Sequence, residues 1–321
     1  MSGTLQRVAQ RKITVVGAGY VGMTCAQLCA QKNLAAEVCL IDVVEGRPQG
    51  LALDLNQMAA VEGFATRVKG TNDPADTAGS DVFIVTAGKP RAPGMSRSDL
   101  LEVNARVIAS VATYIRDLSP DAVVIVVTNP LDVMTALMRA KTGLPPRRVM
   151  GMAGVLDSAR FSWFIAEETG ASVQDVDAMV LGAHGDSMVP MPHYCTVNGV
   201  SLTALAKKER IDALSQRTRN GGAELVALLK TGSAFFAPAA ASVAMAKSIL
   251  NDERRLLPAC VFLNGEFGFE GLYMGASAIL GARGVERIVE LPLDADSRAL
   301  MQKTAGAIQA DLALLRDAGI L

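Results

Sequence analysis

At 321 residues, with 50% hydrophobic and 20% charged side chains, the chain is long enough for two ordinary domains and apolar enough to fill their cores. A net charge of −1 and a pI near 6.2 exclude the basic excess that binding to a phosphate backbone needs, so nucleic acid is not an expected partner. The longest apolar runs, such as residues 122–127, fall well short of the ~20 residues of a membrane helix, so no membrane is expected either.

Residues 1–12 are polar and lack an apolar h-region, which reads as a short disordered lead-in rather than a secretory signal. The first apolar run, residues 13–16, predicts a buried strand. It runs into Gly17-Ala18-Gly19-Tyr20-Val21-Gly22, and a helix is expected over Tyr20–Gln31. Strand, GxGxxG and helix in that order form a dinucleotide-binding fingerprint. The glycines allow a tight turn, a close approach of backbone amides to a pyrophosphate, and close helix-to-strand packing. The helix N-terminus adds free N–H groups and a favourable dipole.

A second strand, Glu37–Ile41, ends at Asp42. A carboxylate there can accept hydrogen bonds from both adenosine ribose hydroxyls and would repel a 2′-phosphate, which favours NAD over NADP. Flavin and nucleotide-sugar enzymes use the same fingerprint, so this end indicates a cofactor class and not a reaction. A helix is expected over 48–57, a strand over 81–86, a helix over 98–118 and a strand over 122–128. Alternating strands and helices with near-continuous apolar strands predict a doubly wound parallel sheet.

After the strand at 81–86 comes TAGKPRAPGMSR, residues 86–97, whose glycines and prolines prevent regular structure and which holds two arginines, Arg91 and Arg97. Such a loop is suited to fold over a small anion, although a solvated surface loop has the same composition. The pattern changes near residue 150, where we place a boundary between a first unit, 1–150, and a second α+β unit, 151–321. In the second unit a helix is expected over 157–169, strands near 178–181 and 191–197, long helices over 202–230 and 237–250, and a final helix over 295–318.

Asp157 and Arg160 are three apart and share a helical face, which on its own suggests a surface salt bridge. His184, one of two histidines, is flanked by glycines in Gly182-Ala183-His184-Gly185-Asp186. Together the three side chains are more informative. A histidine can exchange a proton near neutral pH, a carboxylate can fix its tautomer, and an arginine can grip a carboxylate bidentately. That set is what oxidation of a 2-hydroxy acid by NAD requires. The five cysteines, Cys25, Cys29, Cys39, Cys195 and Cys260, contain no CxxC and are odd in number, which favours reduced thiols in a cytoplasmic protein over disulfides or a metal site.

GAGYVG, Asp42, TAGKPRAPGMSR, Val127-Thr128-Asn129-Pro130, the segment GVLDSAR at 154–160, GAHGD and Thr231-Gly232-Ser233 span nearly the whole chain. With them the sequence resembles the lactate/malate dehydrogenase superfamily, and most closely its malate dehydrogenases of lactate dehydrogenase-like type. The resemblance implies a Rossmann NAD-binding domain and a C-terminal catalytic domain. It also implies His184 as proton acceptor, Asp157 as its orienting partner, Arg160 on the C1 carboxylate, and Arg97 on the C2 oxygen. Asn129 and Ser233 would line the substrate, while the backbone at 127–129 and the Asn104 side chain would meet NAD. In this family the position of Arg91 faces the group on C3. An arginine there pairs with the second carboxylate of malate or oxaloacetate, whereas a methyl would leave it without a partner. A lactate or other 2-hydroxy acid dehydrogenase and a catalytically silent NAD-binding protein are the alternatives. Members of the family imply a homodimer or homotetramer, for which the helices at 48–57 and 157–169 could supply an interface.

Overall fold

The computed structural model describes residues 11–89 and 97–321, with the side chain of Arg97 outside that description. The parallel strands are β1 (Lys12–Val16), β2 (Glu37–Ile41), β3 (Arg67–Thr71), β4 (Val82–Val85), β5 (Val123–Val126) and β6 (Val149–Gly151); the inner ones form where short apolar runs are buried on both faces, while β3, at the edge, is only partly buried. All four side chains of both β4 and β5 are buried, as expected for a sheet covered by helices on each side. The helices between them are α1 (Tyr20–Gln31), α2 (Arg47–Glu62), α3 (Arg97–Leu118) and α4 (Leu131–Thr142). Strand order is β3-β2-β1-β4-β5-β6, so the winding reverses between β1 and β4. Register places Val16 beside Ile41 and Val85, and Val85 beside Val126. The residues that follow each strand therefore emerge in one row at the carboxyl edge, where open α/β sheets bind ligands.

The sheet does not stop at β6. It continues through a single antiparallel pair, Gly151 with Cys260, into the hairpin β12 (Arg255–Asn264) and β13 (Glu270–Gly281), and from there to β8 (Val180–Gly182) and β9 (Met188–Pro190). β14 (Gly284–Ile288) flanks β13, and β7 (Val176–Asp177), β10 (Thr196–Val197) and β11 (Val200–Ser201) form a small separate sheet. Around this half lie α5 (Gly154–Thr169), α6 (Leu202–Leu205), α7 (Lys208–Leu229), α8 (Phe236–Leu250) and α9 (Ala295–Asp317). One large apolar core runs from Ile13 to Leu315 across both halves, and a smaller one gathers Phe161, Ile165 and Leu214 between α5 and α7. All five cysteines are free and buried. Among the described residues no helix is long and apolar enough to cross a membrane.

Two sequence expectations change, and several elements, among them β3, α4 and the β12–β13 hairpin, lie outside those expectations. The strand near 191–197 is instead a 3₁₀ turn, Pro192–Tyr194, followed by the two-residue β10, because Pro192 has no N–H to give a ladder. The helix over 202–230 breaks into α6 and α7, where Ala206 and Lys207 adopt extended backbone. The β12–β13 hairpin was not anticipated. Its first strand carries Pro258 and is buried on both faces over most of its length, so it lacks the alternation that marks a half-exposed strand.

Candidate functional site

The fingerprint turn is assembled by packing. A methyl group added at Gly22 would collide with the Gly17 carbonyl oxygen, and one added at Gly17 would lie 2.9 Å from the Ala87 nitrogen and from the Thr86 hydroxyl. Gly19 differs: a methyl there meets nothing within 4 Å, so its open face is the space a pyrophosphate would need. The Ala18 backbone N–H donates to Asp42 Oδ2, while Val44 N donates to Oδ1 at 2.9 Å, which fixes the carboxylate at the end of β2. Asp42 itself remains partly exposed. Arg47 Nε holds the Ala18 carbonyl at 2.7 Å. Val21 packs on the large core, and Tyr20 begins α1 with its side chain 62% exposed. These features fit a dinucleotide: an open glycine, a helix N-terminus, and a placed carboxylate one strand away.

The turns after β4 and β5 are tied to each other. The Thr128 hydroxyl donates to Ala87 O at 2.6 Å, and Gly88 lies so close to Thr128 that a Cβ would stand 2.6 Å from its methyl. Val127 continues β5 through a hydrogen bond from its N to Val85 O, and Asn129 follows, exposed, ahead of a cis bond to Pro130. The resemblance puts the Asn104 side chain against the cofactor. Here it is buried, accepts from Lys89 N at 2.7 Å, and gives its amide hydrogens to Lys89 O and Asn129 O at 3.1 and 2.7 Å. Asn104 therefore ties the two turns together instead of offering a free donor.

At the other end, Gly154 starts α5 at a point where a Cβ would meet Pro258 at 2.6 Å and Val180 O at 2.8 Å. That close approach seats α5 on β12 and β8 and points its first turn at the segment after β8. Gly182 and Gly185 adopt φ of +79° and +110°, conformations a side chain would oppose, and the chain bends so that His184 turns inward. His184 Nδ1 then lies 2.9 Å from Asp157 Oδ2, and Arg160 Nη1 donates to Asp157 Oδ1 at 3.1 Å. Asp157 is 1% exposed, which overturns the surface salt bridge suggested by spacing alone. Burial by itself would push the His184 imidazole down, but the charge and hydrogen bond of Asp157 outweigh it and hold the ring above its ordinary value. The Arg160 guanidinium opposes that rise. Its Nε is buried without a hydrogen-bond partner among the described residues, which leaves donor capacity beside the histidine.

Ser233 lies exposed on the connection between α7 and α8. Arg91 falls outside the described residues, and of Arg97 only the backbone, at the start of α3, is described.

One residue escaped the sequence reading. Asp132, in the first turn of α4, is 5% exposed and accepts the His184 backbone N–H at 3.2 Å. Its other oxygen is buried without a hydrogen-bond partner among the described residues, and burial pushes its carboxyl up to about 6, against the lowering effect of the neighbouring Cys260 thiol and the His184 N–H. A first-turn aspartate usually serves the helix dipole, so only the fold reveals that this one lies behind the histidine. Its charge adds to the rise of His184. Asp132→Asn is expected to lower the His184 titration midpoint, read from its ring protons by NMR. A midpoint that stays put or moves up would contradict the coupling.

Comparisons with known proteins agree with this geometry. The chain matches the lactate/malate dehydrogenase NAD binding domain over residues 11–151 and the lactate/malate dehydrogenase alpha/beta C-terminal domain over 154–317. It is 50% identical to a malate dehydrogenase of Roseiflexus castenholzii over 95% of this chain and 99% of that relative. Its structure is similar to the malate dehydrogenase of Salinibacter ruber (TM-score 0.92, 45% identity, covering 96% of this chain and 99% of that one). It is also similar to a lactate dehydrogenase of Cryptosporidium parvum complexed with lactic acid and nicotinamide adenine dinucleotide (TM-score 0.93, 43% identity, covering 96% and 99%). With both domains matched in order across nearly its full length, this chain belongs to the lactate/malate dehydrogenase family.

Proposed function

We propose that the protein is an NAD-dependent oxidoreductase that interconverts malate and oxaloacetate. The observation that carries this reading is the His184–Asp157–Arg160 set, built on the buried Asp157 carboxylate and standing at the carboxyl edge of a dinucleotide-binding sheet. Residues 17–22 and Asp42 would hold NAD, with the backbone of 127–129 closing its other side and Asn104 keeping the turns in place. Bound NAD supplies the acceptor or donor of the hydride at C2. His184 takes the hydroxyl proton of malate at Nε2 and returns it in the reverse direction, while Asp157 keeps Nδ1 protonated and stabilises the imidazolium. Arg160 pairs with the C1 carboxylate, Arg97 stabilises charge on the C2 oxygen, and Asn129 and Ser233 line the substrate. On this reading residues 1–150 bind the cofactor and 151–321 supply most of the chemistry.

Relatives named for both malate and lactate lie at similar structural distance, so the acid is assigned by Arg91 together with the 50% identical malate dehydrogenase. Two arginines, Arg91 and Arg160, match two substrate carboxylates. With NADH, kcat/KM for oxaloacetate is expected to exceed that for pyruvate by more than about 1,000-fold, since leaving an arginine without its carboxylate partner in a site closed to water costs on the order of several kcal/mol. Arg91→Gln should narrow that gap by weakening oxaloacetate selectively, and comparable values in the unaltered protein would sink the malate assignment. A homo-oligomer, dimer or tetramer, is part of the proposal. Leu53 and Val61 on α2 and Trp163 on α5 are 61%, 86% and 53% exposed, apolar surface that a second copy could cover; light scattering tests it.

A further inference from the structure

Two glycines, Gly221 and Gly222, stand side by side inside α7. Glycine is the poorest helix former after proline, so a pair of them within a 22-residue helix needs a physical reason. Their surroundings differ. A methyl added at Gly222 meets nothing within 4 Å. One added at Gly221 would stand 3.3 Å from Arg160 Cδ, 3.8 Å from Arg160 Nε and 3.9 Å from Phe164 Cε2. The first distance is closer than carbon atoms pack at ease. The Arg160 stem therefore lies along the bare backbone of α7.

That contact is held from both sides. Ile211, Leu214, Thr218 and Gly221 recur at helical spacing on the buried face of α7. Ile211 and Leu214 join Phe161, Phe164 and Ile165 of α5 in the smaller core, and the Arg217 guanidinium lies 4.0 Å over the Phe164 ring. The two helices cannot part to admit a methyl without opening that core. On its other side, Arg160 Nη1 donates to Asp157 Oδ1 at 3.1 Å, and the arginine side chain is only 13% exposed. A methyl at position 221 is thus absorbed first by Arg160, the flexible one of the two side chains it would touch.

We propose that Gly221 is a positioning residue for the substrate: its bare backbone seats the Arg160 stem and sets where the guanidinium meets the C1 carboxylate of the acid. This rests on the role of Arg160 given above and deepens it, because the reach of that side chain is then fixed by α7 as well as by α5. Two parallel hydrogen bonds to a carboxylate tolerate little misplacement, so a small shift of the guanidinium is read directly in substrate affinity.

The test compares Gly221→Ala with Gly222→Ala in steady-state kinetics with NADH and oxaloacetate. Alanine favours a helix at both positions, so both variants should melt no more than about 2 °C below the unaltered protein. Gly222→Ala should keep its KM for oxaloacetate within about twofold, whereas Gly221→Ala should raise it about tenfold with kcat lowered much less. In an Arg160→Gln background the methyl at 221 should cost less than about twofold, since the guanidinium it misplaces is gone. An unchanged KM in Gly221→Ala overturns the seat. So does an equal rise in Gly222→Ala, which would make the glycine pair a matter of helix flexibility, and so does a tenfold rise that persists without Arg160. A melting temperature lowered by more than about 5 °C in Gly221→Ala would place the methyl in the core between α5 and α7, and overturns it too. If Arg160→Gln itself leaves KM unchanged, the role of Arg160 falls and the seat falls with it; a large loss there with no effect at Gly221 removes only the seat.

Discussion

His184→Ala is expected to lower kcat for malate oxidation by about 1,000-fold or more while leaving NADH affinity within a few-fold. The size follows from what the ring does. Removing a positioned general base typically costs about 10²–10⁴ in rate, and the carboxylate nearest the ring, Asp157, is held on its Nδ1 side and cannot take its place at Nε2. Asp157→Asn should come close to that loss despite differing by one atom. An amide can present its NH2 to Nδ1 and so favour the wrong tautomer, and it cannot stabilise the imidazolium. The pair also makes a prediction about stability. His184 sits above its ordinary value in the fold, so its favourable contribution is present in full below the unfolded imidazole value and fades as pH rises through the raised one. The stability lost in His184→Ala should therefore be larger near pH 6 than near pH 9, as read from denaturant midpoints. A kcat within tenfold of the unaltered enzyme would remove His184 from the chemistry.

Much of this site was legible from residue order, and the parts that were not have identifiable reasons. β2 and α1 have the bounds their apolar periodicity predicts, because nothing in those segments competes with the pattern. Gly17-Ala18-Gly19-Tyr20-Val21-Gly22 could be read since steric demand on glycine is local. Asp157 and Arg160 were visible as one helical face but not as a buried pair, because burial depends on α5 being seated on β12 and β8 through Gly154. Asp132 was invisible for the same reason. Its meaning comes from the His184 backbone and the Cys260 thiol, 52 and 128 residues further along the chain. Local sterics and periodicity survive in a sequence; long-range apposition does not.

The second large effect belongs to Arg160. Arg160→Gln should cost kcat/KM for oxaloacetate about 10³-fold, since breaking one side of a buried, charge-assisted pair is worth roughly 3–5 kcal/mol. Arg160→Lys should recover only a small part, because a single ammonium cannot make two parallel hydrogen bonds to a carboxylate. Loss of activity alone would not separate a substrate-binding role from a structural one, because Arg160 also donates to Asp157 at 3.1 Å. The titration of His184 does separate them. Arg160 acts to lower the imidazole and Asp132 acts to raise it. Removing the arginine should therefore move the His184 midpoint up, opposite to Asp132→Asn, and carry the acid limb of malate oxidation to higher pH, where the ring must lose its proton before it can act as base. If Arg160 only braced α5, the variant would lower stability, leave the midpoint in place and retain its KM for oxaloacetate. A raised midpoint with a sharply raised KM is the signature of a guanidinium that both tunes the histidine and binds the acid on which it acts.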